Sequence, residues 1–526
     1  MSDNPVYEIS EFSLSAKNSF YAGTHFDGLA SFLQKPYQRN NSPSSLQIHA
    51  DQGYGVNPFM SLYDLSPTAP LQAMHFTSPK DLDSSDLNPS SPKLIFMRGL
   101  PSPEWLLSIG VKFQVDPEFF QRHLGFYEEL LPHEHHFVNP SLPSANKCIA
   151  RLRVTTVGYS KIDNTKDPQQ MVESLQRENA EKMNTYRQRV KSRLHYMTGD
   201  SVFREFSIHD LEHFTIEQDI TISISQNREG WTVLIWLDIG DSPGLPRGFE
   251  SPLNLESLTT TYLPVVQYIP GIALDNWGQQ SSVHYESENN ATHLVQNVSW
   301  LHLNYGQSLN RNLIAKSPFY ALHEIFSFVA SSENQFLNML ESKIRKELDA
   351  QTLVGQKNPT LSHLLYNQQV LDRHIQRLRE NLTFIRRFTP ASPHHESEQD
   401  DEAAISAEEI LRDYEYLLSG ATTLSEQCNR GMQVVMNNAN IKESRKAISQ
   451  AEGIEILTRL AFIFIPLNFV TSVFGMNFVQ FGQGELSLWI WPAVSIPVFL
   501  LSVILMRSNV IEFFKGLYRP LTDQRH

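Results

Sequence analysis

From Leu460 to Gly484 the chain carries no charged residue, and from Leu486 to Met506 it again carries none, with Glu485 alone between the two runs. Each run meets the roughly 20 residues that a helix needs to cross a hydrocarbon core. The pattern therefore predicts a membrane hairpin: a first span over 460–477, an outer loop over 478–485, a second span over 486–506 and a tail over 507–526. A buried helical hairpin in a soluble core is the other reading, disfavoured because two such stretches lie side by side. Trp489 and Trp491 open the second run, where amphipathic indoles favour the membrane interface on the loop side. Pro466, Pro492 and Pro497 are tolerable in spans because neighbouring helices can satisfy the freed carbonyls.

Upstream, Ile410, Leu417, Leu424 and Gly431 recur every seven residues, with Tyr414, Ala421, Cys428 and Val435 interleaved. That periodicity predicts a packing seam on a stalk helix over 403–459. Nothing but tolerable glycines at Gly420, Gly431 and Gly453 interrupts it on the way to Asn477, so one helix of some seventy residues would span roughly 100 Å. The polar section Asn437–Lys446 is where a break is expected if there is one. Before the stalk comes a Pro- and acid-rich linker over 390–402, and before that an antiparallel helical hairpin over 316–389. Its first helix runs from Phe319 to Glu347. The second starts near Leu361 and carries Leu361, Leu364, Leu365, Leu371, Ile375, Leu378 and Leu382 on one face.

Residues 94–315 mix helical and strand patterns. Cys148–Tyr159 is β-rich, and Asp219–Ser225 alternates at period two before a turn at Asn227–Gly230 and a return strand at Trp231–Leu237. The first 93 residues are rich in Ser, Pro and Asn and read as largely disordered, with order beginning near Leu94. The predicted fold is an α/β cytoplasmic domain followed by long stalk helices and a C-terminal two-helix transmembrane hairpin.

Charge sets the orientation. Lys442, Arg445, Lys446 and Arg459 precede the first span, Arg507, Lys515, Arg519 and Arg525 follow the second, and the loop Phe478–Glu485 has no basic residue. The positive-inside rule places both termini in the cytoplasm and the loop outside. Which membrane is spanned is not encoded. Met1-Ser-Asp-Asn-Pro shows no Arg-rich presequence or apolar signal segment. Two cysteines in 526 residues exclude a disulfide framework. The sequons at Asn290, Asn297 and Asn381 then read as chance matches. A net charge of -14 argues against nucleic acid as a partner. Two spans cannot enclose a water-filled path, so a channel built from them needs several copies.

The segment from Leu457 through Ile463-Phe-Ile-Pro-Leu467 to Gly475-Met-Asn-Phe478 resembles the pore helix of the CorA family of magnesium transporters. The resemblance implies a homopentamer with a cytoplasmic funnel, a stalk helix that continues into the first membrane helix, and five copies of that helix around the pore. It implies a selectivity entrance at Gly475, Met476 and Asn477, and a pore lined by Leu457, Ala461, Ile465, Asn468 and Ser472. Magnesium releases inner-shell water reluctantly, so a ring of Asn477 amides can hold the hydrated ion through outer-sphere hydrogen bonds. Gly475 would let the helix end turn and Met476 pack behind the ring, while a helix C-cap is the plain alternative for Asn477. Leu457 and Ile465 would be dewetting constrictions, with Asn468 as a polar ring between the ends. Lipid contact or ordinary packing is the plain alternative for the two aliphatics.

The chain departs from the family pattern in places. Phe474 stands where the family usually has Tyr, Glu485 is the one acid in the loop to attract cations, and Asn440 stands near the stalk position where the family has a regulatory carboxylate. No cofactor is implied; magnesium is the cargo and also a candidate regulatory ion. No Walker A loop or nucleophile elbow is visible, so the chain does not read as an enzyme. Transport of zinc, cobalt or nickel is an alternative, as is a non-conducting membrane-anchored interaction protein. His209 and His213 stand at i, i+4 spacing and, like His133-Glu-His-His136, could bind zinc. The stretch from His394 to Glu402 reads as a solvated acidic linker.

Overall fold

The computed structural model describes residues 26–34, 58–66, 71–88, 90–125, 142, 148–160, 168–192, 196–227, 230–240, 246–253, 261–267, 301–302, 305–306, 309–353, 361–389, 398–474, 487 and 489–507. The chain divides into two compact units, residues 1–431 and 432–526.

The first unit is built on an eight-stranded sheet. Its strands are β1 (Met60–Asp64), β2 (Ala73–Phe76), β3 (Lys93–Arg98), β4 (Ile149–Tyr159), β5 (Glu205–Ile208), β6 (His213–Asn227), β7 (Gly230–Leu237) and β8 (Thr261–Tyr262), in the order β2-β1-β3-β7-β6-β4-β8 with β5 beside β6. β3 and β7 run parallel; the other pairs are antiparallel. The expected hairpin is the β6–β7 pair, closed at Asn227 opposite Gly230.

Every residue of β3 is buried, because the sheet is covered on both faces. Leu94 and Phe96 join Val233, Ile235 and Leu237 in one core, while Ile95 and Met97 join Leu234 and Trp236 in the other. This is the period-two alternation of a pleated strand with two apolar sides. The second core is closed by α1 (Asp27–Gln34), α2 (Pro79–Ser84), α3 (Pro103–Phe113) and α4 (Pro117–Leu124), which supply Leu29, Leu82, Trp105, Leu106, Phe119 and Phe120. Each of α2, α3 and α4 opens on an N-cap side chain, Ser78, Ser102 or Asp116, followed by Pro at the first turn. α5 (Pro168–Ser192) packs Met183, Tyr186 and Val190 into a third core with Phe206 and Phe214.

The onset of order is corrected. β1 and β2 both precede Leu94, and β1 pairs with β3 from Met60↔Met97 to Asp64↔Lys93. β1 is five residues long and set among Ser- and Pro-rich flanks, too short for periodicity to mark it, yet its partner strand buries it completely at Met60 and Leu62.

After α6 (Arg311–Lys316), the consecutive helices α7 (His323–Leu353) and α8 (Leu361–Ile385) pack on the first core. The Ser332 hydroxyl of α7 accepts the Thr155 N–H at 3.1 Å and donates to the Thr155 carbonyl at 3.0 Å, pinning the helix to β4. On α8 the predicted face holds from Leu364 through Leu371, Ile375, Leu378 and Leu382, all buried, whereas Leu361 and Leu365 at its start are exposed. Asn381 is also buried there, which removes it as a glycosylation acceptor.

α9 runs without a break from Glu398 to Phe474, 77 residues. It begins inside the stretch assigned to the linker, and Asn437–Lys446 is helical throughout. The seam is buried as its spacing requires: Ile410, Tyr414, Leu417, Ala421, Leu424 and Cys428 belong to the first core. Gly431 ends it for a steric reason, since a Cβ there would stand 2.7 Å from Leu348 Cδ2 and 3.1 Å from Leu364 Cδ1.

Between the sheet and the helical hairpin lies a buried ionic network that no short motif announces. Arg153 on β4 binds Glu217 at 2.6 Å and Asp219 at 2.8 Å, and Arg204 binds Asp238 at 2.6 Å. Burial would raise the Glu217 and Asp219 carboxyls, but Arg153 outweighs it and holds both well below the usual range. His123 is buried beside Asp238 at 3.1 Å and stacks on Trp236.

In the second unit the described elements are α9 from Met432 onward and α10 (Ile490–Arg507), which contains Pro497. On α10 the covered positions are Ser495 and Ser502, with Pro492 and Val498 half-buried beside them. This places small residues on one side and Ile496, Leu500, Leu501 and Ile504 on the exposed side.

Candidate ion-conducting helix

The C-terminal part of α9 is helical because every residue from Leu460 to Phe474 but Pro466 can hold its backbone bonds within the helix, the arrangement that an apolar environment demands. An 18-residue window in this helix has a mean hydropathy of 1.8 and only 6% of it is buried. A core helix is mostly covered by its own chain, and this one is not. α10 is apolar as well but shorter, 15 residues from Ile490 to Ile504 by the same measure.

Leu457, Ala461, Ile465, Asn468 and Ser472 fall within an arc of about 80° at 3.6 residues per turn. All five lie on one uninterrupted helix, and four of them are exposed, Leu457 at 68% and Ile465 at 67%, with Ala461 intermediate. The covered positions lie on the other side: Val470 is buried, and Ile463, Pro466, Leu467 and Phe474 are half-buried. The Arg459–Glu455 ion pair, one turn apart, also projects away from the Asn468 arc.

Hydroxyls elsewhere on the helix are satisfied internally. Thr458 donates to the Ile454 carbonyl and Thr471 to the Leu467 carbonyl, each at 2.8 Å. Asn468 and Ser472 differ: both side chains are exposed and neither has a hydrogen-bond partner among the described residues. A bare amide on an apolar helix is costly against lipid and inexpensive against water.

A family model described as CorA-like Mg2+ transporter protein matches residues 292–510. That stretch is similar to the CorA-like family. The match covers α6 through α10, so the helical hairpin, the long helix and the apolar C-terminal helix are its CorA-like part. A solved structure titled as the complete structure of the CorA magnesium transporter from Methanocaldococcus jannaschii is similar at 14% identity and a TM-score of 0.37, over 86% of this chain and 99% of that one. No curated protein matches by sequence.

Gly475, Met476, Asn477 and Glu485 lie outside the described residues. So do His133–His136, Asn290, Asn297 and the linker histidines His394 and His395. The zinc reading of His209 and His213 is overturned, because the segment is a turn into β6 and not a helix. His209 is buried with Nε2 2.9 Å from Thr215 Oγ1, and His213 sits with Nδ1 3.0 Å from Asp210. Among the described residues no group of three His, Cys, Asp or Glu side chains is placed to hold a metal ion.

Proposed function

We propose that the chain carries divalent cations, magnesium foremost, passively across a membrane through a homo-oligomeric pore. The match of residues 292–510 to a CorA-like family model supports divalent cation transport as the class of activity. The observation that carries the pore reading is the arc of Leu457, Ala461, Ile465, Asn468 and Ser472, which is exposed on an apolar helix and holds its two unbonded polar side chains. A single copy leaves that arc uncovered. Several copies turned inward would give each amide a water-filled axis and leave the exposed apolar positions elsewhere, such as Phe469, to lipid.

In this reading five copies assemble as the family resemblance implies, α9 is the first span, α10 the second, and both termini lie in the cytoplasm. Asn477 forms the outer ring for the hydrated ion, Gly475 and Met476 support it, and Glu485 attracts cations. Leu457 and Ile465 are the points at which the pore closes by dewetting. Magnesium is cargo, and no separate cofactor is required.

Purified protein in liposomes is expected to pass magnesium down its gradient, and Asn477→Ala to abolish that flux. Equal flux in wild type and variant would remove the ring from the account, and no flux in either would favour a membrane-anchored interaction protein.

A further inference from the structure

A cavity of about 580 Å3 opens in the first unit between the sheet and α8, lined by β4, β6, α4, α5 and the last turns of α8. Its size is that of a small-molecule site. Its lining is unusual in charge: seven arginines against three carboxylates, Glu205, Asp219 and Glu380. Carboxylates just outside the cavity take up part of the excess, with Glu118 on Arg122, Glu217 on Arg153 and Asp238 on Arg204. Arg187 is held by Glu205 at 2.7 Å.

The shortfall centres on Asp219. One buried carboxylate serves three guanidiniums, Arg153 at 2.8 Å, Arg204 at 3.4 Å and Arg151 at 4.0 Å. Arg151 is therefore left with a distant share of one acid. Burial pushes it down to about 10, with Asp219 only partly offsetting this and Arg377, Arg204 and Arg153 adding to it. Across the cavity, Arg379 on α8 has no acidic partner among the described residues. A cation held in partly dehydrated surroundings without its own counter-charge is stabilised by an anion that enters. Planar guanidinium forks match phosphate oxygens bidentately, which a lysine cluster would not.

We propose that this cavity is a binding site for a small phosphate-bearing anion, held by Arg151 from the sheet and Arg379 from α8. The ligand bridges β4 to the helical hairpin, because the two arginines stand on different elements. The site is separate from the conducting helix, and its failure would leave the transport reading intact.

The test uses full-length protein in detergent, free of divalent metal, at fixed ionic strength, titrated calorimetrically with inorganic phosphate, pyrophosphate and ATP. Saturable binding of pyrophosphate or ATP is expected, weakened about tenfold or more by Arg151→Gln and by Arg379→Gln. Tighter binding of ATP than of pyrophosphate would identify a nucleotide, and equal binding an inorganic or other phosphate ester; both support the site. Absence of saturable binding to all three probes up to millimolar concentration overturns the proposal, as does wild-type affinity in Arg379→Gln. That variant alters an exposed side chain, so it decides the matter even if Arg151→Gln does not fold.

Discussion

His374 Nδ1 on α8 lies 2.8 Å from Glu333 Oε1 on α7, and its Nε2 lies 3.6 Å from Glu217 on the sheet, so one imidazole ties three elements together. Burial would lower this histidine, but Glu333 and Glu217 outweigh it and raise it to about 9. A raised histidine contributes stability that is fully present below its unfolded value, about 6.5, and is lost as pH rises through the folded one. Thermal melts are expected to move down between about pH 7 and pH 9.5, and His374→Gln to flatten that slope. An unchanged slope in the variant would show that the imidazole is neutral in the fold.

Arg153 is the hub of the ionic network, and truncating it removes the nearest cation from two carboxylates that are each 1% exposed. Removing one partner of a buried pair costs about 3–5 kcal/mol, because the remaining charge is left uncompensated. Arg153→Ala is therefore expected to lower the unfolding free energy of the first unit, read by urea denaturation, by about 3 kcal/mol. A loss under about 1 kcal/mol would mean that water reaches Glu217 and Asp219.

Gly431 separates two opposed effects. Alanine gains about 1 kcal/mol in helix propensity, while its Cβ meets the flexible ends of Leu348 and Leu364. The two nearly cancel, so Gly431→Ala is expected to be close to neutral. Gly431→Leu adds bulk that those side chains cannot clear and should cost roughly 1–3 kcal/mol as overpacking. Urea denaturation of both variants reads the difference, and equal stability would show that α9 is not held against α7 and α8 at this level.

Asn468 tests the polar part of the proposed pore-facing arc. Replacing it with Leu removes the exposed amide without shortening the helix, so magnesium flux into liposomes should fall at least tenfold while the protein assembles normally. Asn468→Ser, which keeps a hydrogen-bonding group, should retain part of it. Full flux in Asn468→Leu would move the ion path to another face.

The elements governed by long periodicity were legible in the chain. The heptad run from Ile410 to Gly431, the alternation from Asp219 to Leu237 and the charge-free run before Phe474 each repeat often enough to fix an element and its buried side. β1 was not legible, since five residues between Ser- and Pro-rich flanks carry no period and gain their burial from β3. The arginine cavity was not legible for a different reason. Arg151 and Arg153 alternate with Leu152 and Val154 as on any strand with one wet face, and only the packing of α8 over that face turns the wet side into a polar interior. The proposed pore-facing arc was partly legible: helical spacing groups its five residues, whereas their exposure and the unbonded state of Asn468 and Ser472 come from the structure.

The most direct test of conduction along this arc is thiol block of magnesium flux. In a Cys148→Ser background, where the remaining Cys428 is fully buried, Ser472→Cys sits on the exposed arc and Val470→Cys on the covered one. A charged thiol reagent added to liposomes is expected to cut flux at least tenfold in Ser472→Cys and to leave Val470→Cys unchanged. Flux that survives modification at Ser472→Cys, or is lost equally in both variants, would contradict the pore assigned to this face.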